Sequence, residues 1–234
     1  MSQKKSKKKC GMKSVDRGYV EFVGMPSSGK TSVVSGLLGV LPEAKYSFPI
    51  QQVQSAPWLR RSLQRVVGAG AGMYNQRVRN LFKSLSPTYP ATISELKAWI
   101  NFLWLARSVQ QSASTRRTPI LTEGVFQAWW GLRVRGIVND SSLSKVIDFA
   151  DFNGCSIIWL FCDAKYIKQR ISNRVHSSYS DNNKSDGEVL KESMQVIKFI
   201  LERVERQGIN VTRIDTGEQS LSASIQKAAI SLDD

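Results

Sequence analysis

The sequence predicts an α/β fold in which a parallel sheet lies between two layers of helices. A glycine loop joins an apolar strand to an amphipathic helix at Tyr19 to Val34, read as YVEFVGMPSSGKTSVV. Strand-like and helix-like segments then alternate along the rest of the chain, which is the pattern of parallel sheets with crossover helices. The segment Cys155 to Cys162 (CSIIWLFC) is a continuous apolar run of strand length, as expected of a strand covered on both faces. With 234 residues, 41% of them hydrophobic and 22% charged, the chain fits one domain large enough for a full core.

The elements follow in order. Tyr19 to Val23 is a β-branched and aromatic run, and Thr31 to Leu41 has helical apolar spacing. Lys45 to Ile50 is a second strand, and Pro49 suits it to an edge or a strand end. Ala56 to Pro90 reads as helices broken by the glycine patch Gly68 to Gly72 and placed over the active site. Ser94 to Ser114 is a helix capped by Ser94, with Leu96, Trp99, Ile100 and Leu103 on a stripe that packs on the sheet and Arg107 one turn beyond. Pro119 to Thr122 is a short strand ending in Glu123-Gly124, and a helical region follows to Asn153-Gly154. After the apolar strand come a helix from Lys165 to Val175, a polar loop at Ser177 to Asp186, and a helix from Gly187 to Gln207 closed by Gly208. Asn210 to Ile214 is the last strand and Leu221 to Leu232 the last helix.

The chemistry starts at Gly24, Gly29, Lys30 and Thr31, which spell G-x-x-x-x-G-K-T, the phosphate-binding P-loop. Gly24, Met25, Pro26, Ser27, Ser28 and Gly29 form the loop whose backbone N–H groups make an anion nest, and Ser32 follows in the helix. Lys30 reaches the β- and γ-phosphates of a nucleoside triphosphate, and the Thr31 hydroxyl is a Mg²⁺ ligand. Such a loop needs an acid at the end of a neighbouring strand. Glu123 is the best-placed candidate, to hold the metal or to activate an acceptor hydroxyl; its bland alternative is a helix cap. Asp163 is its rival, better suited to capping the helix after it. Arg170 and Arg174 stand i, i+4 on one helix face before the polar loop, where they either clamp a transferring phosphoryl group or form a solvated basic face. Asn183-Lys184-Ser185-Asp186 matches a guanine-reading motif of GTPases but lies in a polar run with no strand before it, so it reads as chance.

These residues in this order resemble the P-loop nucleoside and nucleotide kinase group, and thymidylate-kinase-like proteins in particular. The resemblance rests on Gly24 to Thr31, Thr122-Glu123-Gly124, the strand Ser156 to Phe161 with Asp163, Arg170-Ile171 with Arg174, and Val211 to Asp215. It implies a five-stranded parallel sheet in a three-layer sandwich, a helical lid that closes over ATP, and Mg²⁺-dependent transfer of the γ-phosphoryl group to a small acceptor. Here Glu123-Gly124 replaces the Asp-Arg pair of thymidylate and deoxynucleoside kinases, which argues against thymidylate as the acceptor. Arg60, Arg61, Arg77 and Arg107 are candidates to bind an acceptor phosphate, Arg107 foremost. Phe126, Trp129 and Trp130 are candidates to stack a planar base, each with a core or surface role as its alternative.

The formal net charge is +14, and six of these charges are Lys4, Lys5, Lys7, Lys8, Lys9 and Lys13. Residues 1–17 therefore read as a disordered lysine-rich tail and residues 18–234 as the P-loop domain. The tail is a candidate tether to nucleic acid or to an anionic surface, or a nuclear signal in a eukaryotic source; a solubilising tail is the alternative. It keeps open a polynucleotide 5′-hydroxyl kinase as a second reading, and a non-enzymatic nucleotide-binding switch is a third. Cys10, Cys155 and Cys162 lack metal-site spacing, and with no signal peptide or transmembrane run they predict an intracellular, reducing setting.

Overall fold

The computed structural model describes residues 18–49, 57–85, 90–112, 115–172 and 186–233. The sheet is wholly parallel, with β1 (Tyr19–Val23) at its centre. To one side lie β3 (Thr118–Leu121) and then the two-residue edge strand β2 (Tyr46–Ser47); to the other lie β4 (Cys155–Phe161) and then β5 (Asn210–Asp215). β1 sits between two partners, Val20 opposite Ile120 on one side and opposite Ser156 on the other. β4 is likewise interior, in keeping with its apolar run.

Alternation along β1 divides the core. Val20 and Phe22 face a smaller cluster formed with α1 (Lys30–Leu37) and α9 (Leu221–Asp233), through Val33, Val34, Leu37 and Ala228. Tyr19 and Val23 face the larger cluster, built with α4 (Ile93–Ser112), α5 (Val125–Val134), α6 (Leu143–Phe152) and α8 (Asp186–Arg206). Trp129 is wholly buried there, and its indole N–H donates to Ser142 Oγ at 2.9 Å, so its polar edge is satisfied. The remaining helices are α2 (Trp58–Tyr74), α3 (Gln76–Leu85) and α7 (Ala164–Ser172).

The middle of the chain departs from its sequence reading in three ways. First, the glycine patch does not break α2, which runs from Trp58 to Tyr74 straight through it. A Cβ at Gly68 would lie 2.5 Å from Trp104 Cδ1, and one at Gly72 3.3 Å from the Leu103 carbonyl oxygen. The glycines thus let α2 pack closely on α4, which offsets their low helix propensity. The break falls at Asn75, whose backbone is extended and whose Oδ1 accepts the N–H groups of Arg77 and Val78 to start α3. Second, α4 is capped by Thr92 and not by Ser94. Thr92 Oγ1 accepts the Glu95 N–H at 3.1 Å, and Glu95 Oε2 reaches back to accept the N–H of Ala91, just before the cap, at 2.8 Å; this reciprocal pair of caps outcompetes a lone serine. Third, α4 packs chiefly between α2 and α5 rather than on the sheet, so Phe102, Leu103, Trp104 and Leu105 are all buried while Leu96 is exposed.

Candidate functional site

Between β1 and α1 the chain makes the candidate phosphate loop. Ser27 (φ 67°) and Gly29 (φ 93°) both adopt the left-handed conformation, which turns successive N–H groups the same way. Glycine takes this conformation freely, whereas at Ser27 it is strained, and such strain in a loop is characteristic of a binding site. Gly24 permits the loop's first turn: a Cβ there would lie 2.4 Å from the Leu160 carbonyl oxygen. Ser28 N–H closes the turn on the Met25 carbonyl at 3.0 Å. The hydroxyls of Ser27 and Ser28 are buried yet make no hydrogen bond. Buried polar groups are normally paired, so two orphaned hydroxyls beside an N–H nest fit a site built to receive an anion. Met25 is packed in the core, and Pro26 is half-buried.

Lys30 folds back over the loop, its ammonium donating to the carbonyls of Gly24 and Met25, the latter at 3.0 Å. Thr31 and Ser32 are exposed on the first turn of α1. Arg170, on α7, reaches the same loop. Its guanidinium donates to the Ser27 carbonyl at 3.2 Å and to the Thr216 carbonyl at 2.7 Å. Thr216 follows β5, and its hydroxyl donates to the Ser28 carbonyl at 2.7 Å. Arg170 and Thr216 therefore tie the phosphate loop to the β5–α9 connection. Beside them lies a cleft of about 470 Å³ lined by Ser27, Gly29, Ser32, Arg170, Thr216 and Gln219, among others. Arg174 lies outside the described residues, as do the polar loop, most of the N-K-x-D match and the lysine tail.

On the other side of the phosphate loop, a contact far apart in sequence carries the geometry onward. Gln127, in the first turn of α5, accepts the Gly24 N–H on its side-chain Oε1 at 3.2 Å. Its own backbone N–H donates to Glu21 Oε1 at 2.8 Å, and the Phe126 N–H donates to Glu21 Oε2 at 3.3 Å. Glu21 belongs to β1 and is wholly buried, so its carboxylate stands where an anion would bind the N-terminus of α5. Burial pushes its pKa up to about 7, and the N–H groups of α5 act the other way. A Cβ at Gly124 would lie 2.2 Å from Glu21 Oε2, so the residue after Glu123 must be glycine for this approach.

Glu123 is half-buried at the end of β3 and lines a cavity of about 160 Å³ with Asn101 of α4, Gln127, Trp130 and Gly131 of α5, and Arg135. Asn101 Oδ1 is buried without a partner, an acceptor in a cavity that already contains a carboxylate and a guanidinium. Among the described residues no cluster of three metal-ligating side chains occurs, so Glu123 and Thr31 stand as single candidate ligands. Asp163 is exposed beyond β4 and lies 3.7 Å from Lys165.

The predicted acceptor residues distribute differently. Arg107 points at α2, where it donates to the Gly68 carbonyl at 3.5 Å, and it does not line the cavity with Glu123. Leu105 faces that cavity, and residues two apart on a helix point to nearly opposite sides. Phe126 and Trp129 are in the core, whereas Trp130 lines the cavity. Sequence reasoning missed Glu21, Asn101, Gln127 and Arg135, whereas the loop at Thr216-Gly217 was readable as a place for contacts to the nucleotide base. The signal for Glu21 was present: a lone acid inside an apolar strand that the fold buries on both faces. Nothing local marks Asn101 or Gln127.

Comparison of the sequence with protein-family models and with curated proteins finds no match. Solved structures do match in fold. A deoxyadenosine kinase from M. mycoides, with the products dCMP and dCDP bound, superposes with a TM-score of 0.50 at 13% identity, over 92% of this chain and 98% of that one. A sugar kinase from Janibacter sp. gives 0.48 at 14% identity over 93% and 95% of the two chains. A gluconokinase from Sinorhizobium meliloti gives 0.45 at 12% identity over 93% and 92%. The five-stranded parallel sheet between helical layers is thus the fold that this chain shares with the first of these kinases.

Proposed function

We propose that the protein is an ATP- and Mg²⁺-dependent small-molecule kinase that phosphorylates a hydroxyl of a nucleoside- or nucleotide-like acceptor. The observation that carries this reading is the hydrogen bond from the Gly24 N–H to Gln127 Oε1, which joins the phosphate loop to a cavity that Gln127 and Glu123 both line. A phosphate nest alone suits any nucleotide-binding protein; a nest joined to a separate acid-lined pocket suits transfer between two substrates. The donor nucleotide with its metal supplies an electrophilic phosphorus and neutralises charge on the oxygens around it.

The protein's residues do the rest. Gly24, Met25, Pro26, Ser27, Ser28 and Gly29 hold the phosphates, Lys30 offsets their charge, and Ser32 with Thr216 and Gln219 lines the space beside them. Thr31 and Glu123 are the residues that would hold Mg²⁺. Glu123 also stands where it can take the proton of an acceptor hydroxyl. Arg170 keeps a positive charge at the rim of the loop while bracing Ser27 against Thr216, and Arg174, four residues further along the sequence, is the second lid cation. Asn101, Gln127 and Arg135 offer an acceptor, donors and a cation to a hydroxylated or anionic acceptor. The Trp130 ring, whose N–H donates to the Ser193 carbonyl at 3.2 Å, walls the same cavity.

The test is ADP release from ATP and Mg²⁺ across nucleosides, nucleoside monophosphates, sugars and 5′-hydroxyl oligonucleotides. Stimulation by one small-molecule class supports the reading and names the substrate. Stimulation by oligonucleotides alone, or tight ATP binding with no stimulation by any acceptor, overturns it.

A further inference from the structure

The central strand carries one charged residue, and it is buried. Glu21 lies between Leu121 and Ile157 of the neighbouring strands, on the face that Tyr19 and Val23 turn toward the larger core cluster, and none of its surface is exposed. An apolar side chain would fill this place without taking a carboxylate out of water. Among the described residues no cation acts on its charge; backbone N–H groups at the start of α5 do. The titratable groups beside it, Tyr19 and Cys155, are both pushed up by burial and stay neutral. The helix needs such a partner, because its cap position is Gly124, which has no side chain to offer.

A serine, threonine or aspartate at position 124 would cap α5 as well, with no buried charge. What a local cap cannot do is fix α5 against β1. Glu21 stands three residues before Gly24, on the strand that runs into the phosphate loop. Its Oε1 accepts the Gln127 backbone N–H at 2.8 Å, and the Gln127 side chain accepts the Gly24 N–H at 3.2 Å. One residue of α5 is thereby tied, by its backbone and by its side chain, to the same short piece of chain. That residue also lines the cavity with Glu123.

We propose that Glu21 is a positioning residue for acceptor binding: from inside β1 it fixes Gln127, and through Gln127 it sets the Glu123 cavity against the phosphate loop. This role rests on the kinase reading given above. Wholly buried, Glu21 touches neither substrate, so its effect passes through α5. Misplacement of α5 falls on the acceptor, because the phosphate nest is made by consecutive backbone groups of its own loop.

The experiment is steady-state kinetics of the full-length wild type, Glu21→Gln, Glu21→Met, Gln127→Ala and the double variant Glu21→Gln/Gln127→Ala. It is run at pH 8, where Glu21, with its pKa of about 7, is mostly ionised. The donor is ATP with Mg²⁺. The acceptor is deoxyadenosine or, where another member of the nucleoside, nucleotide and sugar panel gives greater ADP release, that compound. Both single variants of Glu21 are expected to raise the acceptor KM about tenfold and to leave the ATP KM within about twofold. The double variant is expected to be no worse than Gln127→Ala, since the two residues act in series. Glu21→Met removes the buried charge and keeps apolar packing, so it separates loss of position from loss of stability. A fall in kcat that follows the folded fraction, at unchanged acceptor KM, leaves Glu21 a structural cap and overturns the proposal. Additive effects in the double variant overturn the route through Gln127. If no compound of the panel is phosphorylated, the kinase reading fails by itself, and the coupling is read from amide hydrogen exchange with ADP and Mg²⁺ as the probe. Exchange at Phe126 and Gln127 is expected to slow about threefold on ADP binding in the wild type and not to respond in Glu21→Gln. A wild type without that response overturns the proposal.

Discussion

The two halves of the candidate site are built in different ways. The proposed donor half is a continuous stretch of chain, Gly24 to Ser32, whose own backbone makes the nest; Arg170 and Thr216 bond to it from elsewhere, and Gln219 lines the same cleft. The acceptor half is assembled from Glu123 at the end of β3, Asn101 on α4, and Gln127, Trp130 and Arg135 in and after α5. No two of these five residues are sequence neighbours. Among the described residues the halves meet at the hydrogen bond from Gly24 N–H to Gln127 Oε1, and Glu21 anchors the Gln127 backbone N–H beside it. A contiguous loop is robust because its geometry is local. A composite pocket depends on helix packing and on the buried carboxylate that anchors α5.

This contrast can be broken most severely from the donor side. Lys30→Ala is expected to lower kcat by at least about 10²-fold with every acceptor tested, since it removes a charge that all of them need. A loss confined to one acceptor class would contradict the separation of the halves.

The anchoring carboxylate comes next. Glu21 has a pKa of about 7 in the folded protein against 4.5 as the ordinary value, so the native state binds the extra proton between these limits. Its stabilising contribution is full below about pH 4.5 and is lost as pH rises through about 7, a fall on the order of 3 kcal/mol. Denaturation midpoints for wild type and Glu21→Gln from pH 4 to 8 check this. The variant is expected to lack that slope, and equal slopes would show that Glu21 does not titrate in this range.

A steric test follows. Gly124→Ala drives a methyl group into the Glu21 carboxylate and is expected to cost about 1–3 kcal/mol, read as a lower melting temperature. The damage should fall on the acceptor half, with ATP affinity retained. The smallest expected effect is that of Gln127→Ala, which leaves the Gly24 N–H without its side-chain acceptor and widens the cavity. About 1–2 kcal/mol of lost transition-state stabilisation is expected, as a higher acceptor KM at similar ATP affinity. An increased KM for ATP alone would move Gln127 to the donor half.

The sequence by itself determined the frame of the fold and marked the candidate phosphate loop within it. The spacing of Gly24, Gly29, Lys30 and Thr31 specifies a phosphate nest because the chemistry resides in consecutive backbone groups. Apolar runs such as Cys155 to Cys162 specify interior strands because burial on both faces leaves no room for polar residues. Only the tertiary structure decided what the remaining residues meet. The spacing of α4 puts Arg107 one turn beyond Leu103, but only the packing of the helices decides that its guanidinium meets the Gly68 carbonyl of α2. The glycines of α2 signalled a break where the packing of α4 required closeness. Glu21 and Gln127 lie 106 residues apart, and their pairing exists only once β1 and α5 are docked. Contacts at such separations have no local signature: any acid and any amide could form them, and the packing of strands and helices selects which ones do.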